Sequence, residues 1–237
     1  MSDAFIADLC HRVAQSAERK EPLRIRGGGT KDFYGGKASG DVVEISPYAG
    51  IVAYEPKELV LTVRAGTPVA DVEAALDAQR QMLPFEPPRF EAGTATGRAT
   101  IGGTVAAGLS GPRRPYAGAV RDFVLGTRIV NGKGEDLTFG GRVIKNVAGY
   151  DVSRLMAGAF GTLGVITEIS FKVLPRPAAE STLAFEMDEA EAIGSVNRWA
   201  GQPLPLSATA WQEGRLRVRL SGAQAAVDAA RKKLGGE

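Results

Sequence analysis

Histidine occurs once in this chain of 237 residues, at His11, and cysteine once, at Cys10. One cysteine leaves no partner for an internal disulfide. The two residues are neighbours on a stretch that reads as helix, where adjacent side chains diverge, so a Cys–His nucleophilic pair is not expected. A Ser–His–Asp arrangement would have to recruit that same histidine, and a histidine-rich metal site is excluded. Neither a membrane-length apolar run nor a signal-peptide core is read in the sequence, so a cytoplasmic location is the expectation. Basic and acidic residues nearly balance (29 against 27, formal charge +2), with no long basic block, which argues against nucleic-acid binding as the main task. Hydrophobic residues make up 44% of the chain, enough to bury a sizeable core.

What the chain has in quantity is glycine, 30 residues, gathered in clusters. Gly27-Gly28-Gly29-Thr30 follows the strand-like Leu23-Arg24-Ile25-Arg26. Thr100-Ile101-Gly102-Gly103-Thr104, Gly108-Leu109-Ser110-Gly111 and Gly158-Ala159-Phe160-Gly161-Thr162-Leu163-Gly164 echo it. Glycine turns the chain sharply and lets amide N–H groups approach an anion. Tight turns alone would explain any single cluster. Several clusters, most with Thr or Ser beside the glycines, favour a phosphate-bearing nucleotide. Neither common signature fits: the third glycine of G-x-G-x-x-G is Asp32, and the Walker spacing fails at Gly126, Gly132 and Gly134.

Around these clusters the sequence predicts an amphipathic helix over 3–19, with Phe5, Ile6, Leu9, Val13 and Ala17 at helical spacing. Strands follow at 23–26, 42–45 and 59–63. A helix capped by Thr67 with Pro68 in its first turn runs to about Gln79. Residues 81–118, with five prolines, show no clear period beyond a short helix near 101–107. Strands at 120–130, 136–139 and 165–174 and a helix at 151–157 complete the first part. Pro175 and Pro177 mark a boundary. Beyond it the pattern reads β-α-β-β-α, a ferredoxin-like unit without its last strand, so an open sheet edge and a longer parent architecture are expected.

Leu23 to Thr30, Ala99 to Ala106 and Gly158 to Glu168 together resemble, in order and spacing, the three FAD loops of the vanillyl-alcohol-oxidase-type (PCMH-type) flavoproteins. The likeness covers about residues 20–175. Within that family, Lys145 to Asp151 and Gly111 to Tyr116 are most similar to the FAD-binding subunits of bacterial glycolate-oxidising complexes. The resemblance implies an α+β fold: a two-lobed PCMH-type FAD-binding domain over 1–176 (lobes about 1–80 and 81–176), then a truncated ferredoxin-like cap over 177–237. It implies that Gly27, Gly28, Gly29 and Thr30 hold the FAD pyrophosphate, with charge from Arg26 or Lys31. Thr94, Thr96, Thr100, Ile101, Gly102, Gly103, Ala107, Gly108 and Ser110 would follow the diphosphate and ribityl region. The third loop, Phe160 to Ile166 (Phe160, Gly161, Thr162, Leu163, Gly164, Val165 and Ile166), would reach the adenine end through main-chain groups.

The FAD is expected to be noncovalent, because relatives that attach it use His or Cys and neither lies near a loop. The implied role is FAD-binding subunit in the oxidation of glycolate, a 2-hydroxy acid, to glyoxylate. A sister flavoprotein and an iron–sulfur subunit are its implied partners, and they would place it in the cytoplasm or on the cytoplasmic face of the membrane. A non-catalytic FAD-binding subunit, structural or electron-relaying, and a flavoenzyme for another hydroxy acid remain alternatives. No catalytic residue is assigned. Arg113-Arg114 reads as a solvated or partner-facing pair.

Overall fold

The computed structural model describes residues 2–36, 39–90, 98–141 and 150–237. Helix α1 (Ser2–Arg19) buries Ile6, Leu9 and Val13 and leads to β1 (Leu23–Arg26). β1 pairs in parallel with β2 (Asp41–Glu44), Leu23 opposite Asp41 and Arg26 opposite Glu44. Then come β3 (Ile51–Glu55), β4 (Val60–Arg64), α2 (Val69–Asp77) and β5 (Gln81–Met82). Helices α3 (Ile101–Ala107), α4 (Arg114–Ala117) and α5 (Val120–Phe123) precede β6 (Val124–Val130) and β7 (Asp136–Gly140). Helix α6 (Val152–Leu155), β8 (Val165–Lys172) and β9 (Leu174–Pro175) end the first part.

An antiparallel five-stranded sheet, order β3-β4-β8-β6-β7, is the frame. Its central strand β8 is almost continuously buried, as Val165, Ile166, Ile169 and Phe171 dictate. These side chains share one apolar core with α1, β2, α2 and α3. Strands from both sides of residue 80 lie in this one sheet and around this one core.

A separate core of Leu183, Leu206, Leu216, Val218, Leu220 and Val227 lies in the second part. That part runs β10 (Ala179–Glu186), α7 (Glu189–Ala200), β11 (Leu206–Gln212), β12 (Arg215–Gly222) and α8 (Gln224–Leu234). Its antiparallel sheet has the order β10-β12-β11. On the free side of β10, Ala184 and Glu237 exchange backbone hydrogen bonds of 2.9 and 3.1 Å. Among the described residues no helix is long and apolar enough to cross a membrane, and no His, Cys, Asp and Glu group could hold a metal ion.

Two local expectations change. Thr67 does not cap α2: its hydroxyl donates to the carbonyls of Arg64 and Gly50, and Pro68 takes the cap position without a side-chain bond. Val120–Phe123, expected as strand, is a helical turn, because the Asp122 carboxylate accepts from Ala119 N–H at 2.8 Å and Ser110 Oγ accepts from Val120 N–H at 2.9 Å.

Candidate cofactor-binding site

Backbone hydrogen bonds bring the glycine clusters together. Ile45 N–H donates to Arg26 O at 2.8 Å, fixing the exit of β1. Ala65, at the end of β4, donates to Thr167 O and accepts from Gly102 N–H, which seats α3 on the sheet. Gly158 and Phe160 N–H then donate to Val105 O and Ala106 O, each at 2.9 Å, and hold the third cluster against α3. The cleft so formed has a volume of about 250 Å³.

Arg26, Gly27, Gly28, Gly29, Thr30 and Lys31 line one wall of this cleft. Thr100, Gly102, Gly103 and Ala107 line it from α3, and Gly161, Gly164 and Ile166 from the third cluster. Others among the expected residues serve elsewhere. Ile101 and Val165 are buried in the core. Gly108 is the left-handed cap of α3, Ser110 braces α5, Thr162 donates to Ala159 O, and Leu163 is half exposed. Thr94 and Thr96, with Lys145 to Gly149, lie outside the described residues.

The first loop has the unpaired donors. Among the described residues, the amides of Gly27, Gly28, Gly29 and Thr30 donate to no protein acceptor, although Thr30 is buried. Gly27, Gly28 and Gly29 are half-buried and Thr30 is buried, so four successive amides along the cleft are open to an acceptor from outside the protein. Two glycines are required. At Gly28 a β-carbon would stand 1.7 Å from Arg98 O, and Gly29 adopts φ +72° with the Arg26 guanidinium packed where its side chain would be.

Helix α3 behaves differently. Its first four N–H groups are all taken: Ile101 by Thr67 O, Gly102 by Ala65 O, Gly103 by Thr100 Oγ1 and Thr104 by Thr100 O. The helix offers a smooth floor of glycine and alanine, not donors. Thr100→Ala should lower stability by about 1 kcal/mol through loss of this cap. Denaturant unfolding of the flavin-free chain measures it, and an unchanged midpoint would contradict the capping role.

The charges at the mouth are largely balanced among themselves. Asp32 accepts from Arg24 at 2.9 Å and Arg26 at 3.1 Å, and Glu44 lies 3.4 Å from Arg26. The Asp32 hydrogen bond, working against desolvation, raises the Arg26 pKa above its ordinary value. Arg26 is thus a fixed cation beside four free amides, while Lys31 sits 6.0 Å from the Phe90 ring. Arg24, Ile25, Asp32, Ile45, Ala65, Ala106 and Tyr34 line the cleft without having been expected there, and Phe160, where the third loop begins, lines it too. Ile45 and Ala65 come from strands remote in sequence, which only the fold brings near.

Cys10 and His11 are elsewhere, on α1: the Cys10 thiol pKa is raised by burial and by Asp136, and His11 lies exposed beside Gln15. Asp151 caps α6, accepting from Arg154 N–H at 3.0 Å. Arg113 corrects the expectation of a solvated pair. Its side chain is 13% exposed and binds Glu86 at 3.1 Å within the junction between the two cores.

An antiparallel sheet faced by a glycine loop with free amides and a glycine–alanine helix frames a single cleft, the architecture of a nucleotide-binding α+β domain. The chain belongs to the FAD binding domain family, whose model matches residues 6–140, and FAD is the cofactor. It is 51% identical to the glycolate oxidase subunit GlcE of Escherichia coli (strain K12), over 97% of this chain and 64% of that protein. It is 31% identical to the glycolate oxidase subunit GlcD of Bacillus subtilis (strain 168), over 77% of this chain and 39% of that protein. The same identity relates it to a D-lactate dehydrogenase of Anaerostipes hadrus, over 79% of this chain and 37% of that protein. The chain therefore spans less than two thirds of the length of each of these relatives. An alkyldihydroxyacetonephosphate synthase structure shares the fold, with a TM-score of 0.72 at 18% identity over 95% of this chain and 47% of that one.

Proposed function

We propose that this chain is the FAD-binding subunit of a complex that oxidises glycolate to glyoxylate. The observation that carries the reading is the row of four amides on Gly27 to Thr30 without protein acceptors, in a member of an FAD-binding family. The donor set fits the cofactor: neutral N–H groups and one held guanidinium suit a diphosphate, and α3 offers flat contact for its sugar or ring portions. When bound, FAD supplies the acceptor for a hydride from the α-carbon of a 2-hydroxy acid.

This chain's residues bind and orient the cofactor and, in our reading, do not complete the reaction alone. Such an oxidation also needs a cation for the carboxylate and a base for the hydroxyl proton. Arg24 and Arg26 are committed to Asp32, and the single histidine lies on α1. These facts favour completion of the substrate side within a complex, with a sister flavoprotein and an iron–sulfur subunit, in the cytoplasm or on the cytoplasmic face of the membrane. They equally favour the electron-relay role over a stand-alone flavoenzyme. The cofactor is noncovalent in this reading, since no His or Cys lines the cleft among the described residues. We place the division of the chain at 176/177, which the two separate cores support, and read 177–237 as a partial ferredoxin-like cap from its β-α-β-β-α order.

The purified chain should be yellow, with flavin absorption bands that pass into the supernatant on acid precipitation. A colourless, folded protein that refuses added FAD would overturn the proposal. Glycolate should bleach the flavin only when the partner subunits are present. Bleaching in the isolated chain would remove the need for a complex.

A further inference from the structure

Four aromatic side chains form a continuous row at the cleft mouth. Phe90 meets Phe33 edge-on at 5.2 Å, Phe33 lies 6.4 Å from Tyr34, and Tyr34 lies 5.4 Å from Phe160. All are substantially exposed, between 44% and 67%. Only Tyr34 and Phe160 line the cleft itself. Tyr34 comes from just past the first glycine cluster and Phe160 from within the third, so their contact spans the opening from one wall to the other.

Phe160 is held there at a cost. Its backbone is left-handed, φ +51°, a conformation that costs free energy for a residue with a β-carbon. The bond from its N–H to Ala106 O fixes the position, and the ring packs where Gly35 has no side chain, 3.0 Å from the place a β-carbon would take. Burial does not explain this, because the ring stays 46% exposed. An exposed ring in a strained backbone, beside a second exposed ring at the edge of the cleft, leaves aromatic surface available to a flat partner.

We propose that Tyr34 and Phe160 are cofactor-binding residues: a two-ring wall that packs against a flat heteroaromatic ring of bound FAD, either the adenine or the isoalloxazine. The inference rests on the reading of the cleft as the FAD site and adds to it side-chain recognition of a ring. The wall compensates for the modest charge at the mouth, where Asp32 and Glu44 offset Arg24 and Arg26. Phe33 and Phe90 continue the row outside the cleft and do not line it.

The test is calorimetric titration of the deflavinated chain with FAD, ADP and FMN. Phe160→Ala and Tyr34→Ala should each raise the FAD Kd roughly five- to a hundredfold, the range for loss of one aromatic face beneath a nucleobase. Phe160→Tyr should restore wild-type affinity, and Phe33→Ala should stay within twofold of it. The ADP and FMN arms assign the ring: weakened ADP binding names the adenine, weakened FMN binding the isoalloxazine. FAD affinity within twofold of wild type in both alanine variants overturns the wall while leaving the glycine loop intact. Failure of the wild-type chain to take up FAD overturns the parent reading instead.

Discussion

Gly28→Ala will raise the Kd for FAD at least a hundredfold. The first carbon of any side chain at position 28 lies 1.7 Å from Arg98 O and 2.6 Å from its carbonyl carbon. Both are backbone atoms, so no rotamer change relieves the clash. Carbon–oxygen contacts need well over 3 Å, and the loop must therefore move away from Arg98 by more than an ångström. The amides of Gly27 to Thr30 move with it. A charge-assisted hydrogen bond contributes about 1.5–3 kcal/mol, and loss of two of the four accounts for a hundredfold or more. Overpacking adds about 1–3 kcal/mol of destabilisation. Flavin content after purification and FAD titration of the flavin-free variant measure the effect, and thermal melting separates it from unfolding. Gly132→Ala is the matched control, because a β-carbon there meets nothing within 4 Å and its φ is not positive. Gly28→Asp would add little, since its first carbon already clashes. Wild-type affinity in Gly28→Ala would mean that the loop does not hold the phosphates.

The glycine loop was legible because its requirements are local. A tight approach and a left-handed residue can be met only by glycine, so Gly28 and Gly29 announce themselves in the sequence. Strand β8 and helix α1 were legible for a similar reason: burial on both faces, or on one stripe, writes a pattern within ten or so residues. Strand β3 was missed. It is a sheet edge with exposed Ile51 and Val52 and paired only with β4, so Ile51–Glu55 lacks the alternation of a half-buried strand. The committed amides of α3 were missed too, though one signal was present. Thr100 three residues before Gly103 is an N-cap pattern, and a capped helix has fewer donors to give a ligand. Ile45 and Ala65 lacked any signal, because their place in the cleft depends on where two strands end.

Arg113 shows the opposite limit of sequence reading, and its surroundings carry the largest expected effect on stability. The Glu86 carboxylate accepts from Arg219 Nη2 with both oxygens at 2.8 Å and from Arg113 Nε at 3.1 Å. The three side chains are only 13–21% exposed, at the junction of the two cores. Glu180 stands behind them, 3.5 Å from Arg113 and 3.8 Å from Arg219, but is 45% exposed. Removing one member of a buried pair costs about 3–5 kcal/mol, because its partner's charge is left uncompensated. Here Glu180 retains part of the compensation, so Glu86→Gln should cost about 2–4 kcal/mol. Glu180→Gln should cost under about 1 kcal/mol, as expected of a half-exposed carboxylate. The loss should fall on the contact between the two units. Hydrogen exchange should quicken in β11, β12 and α4, while FAD affinity stays within twofold, since none of these side chains lines the cofactor cleft. A Glu86→Gln chain as stable as wild type would show that Arg113 and Arg219 do not depend on this carboxylate, and that apolar contacts such as Tyr116 against the second core hold the units together by themselves.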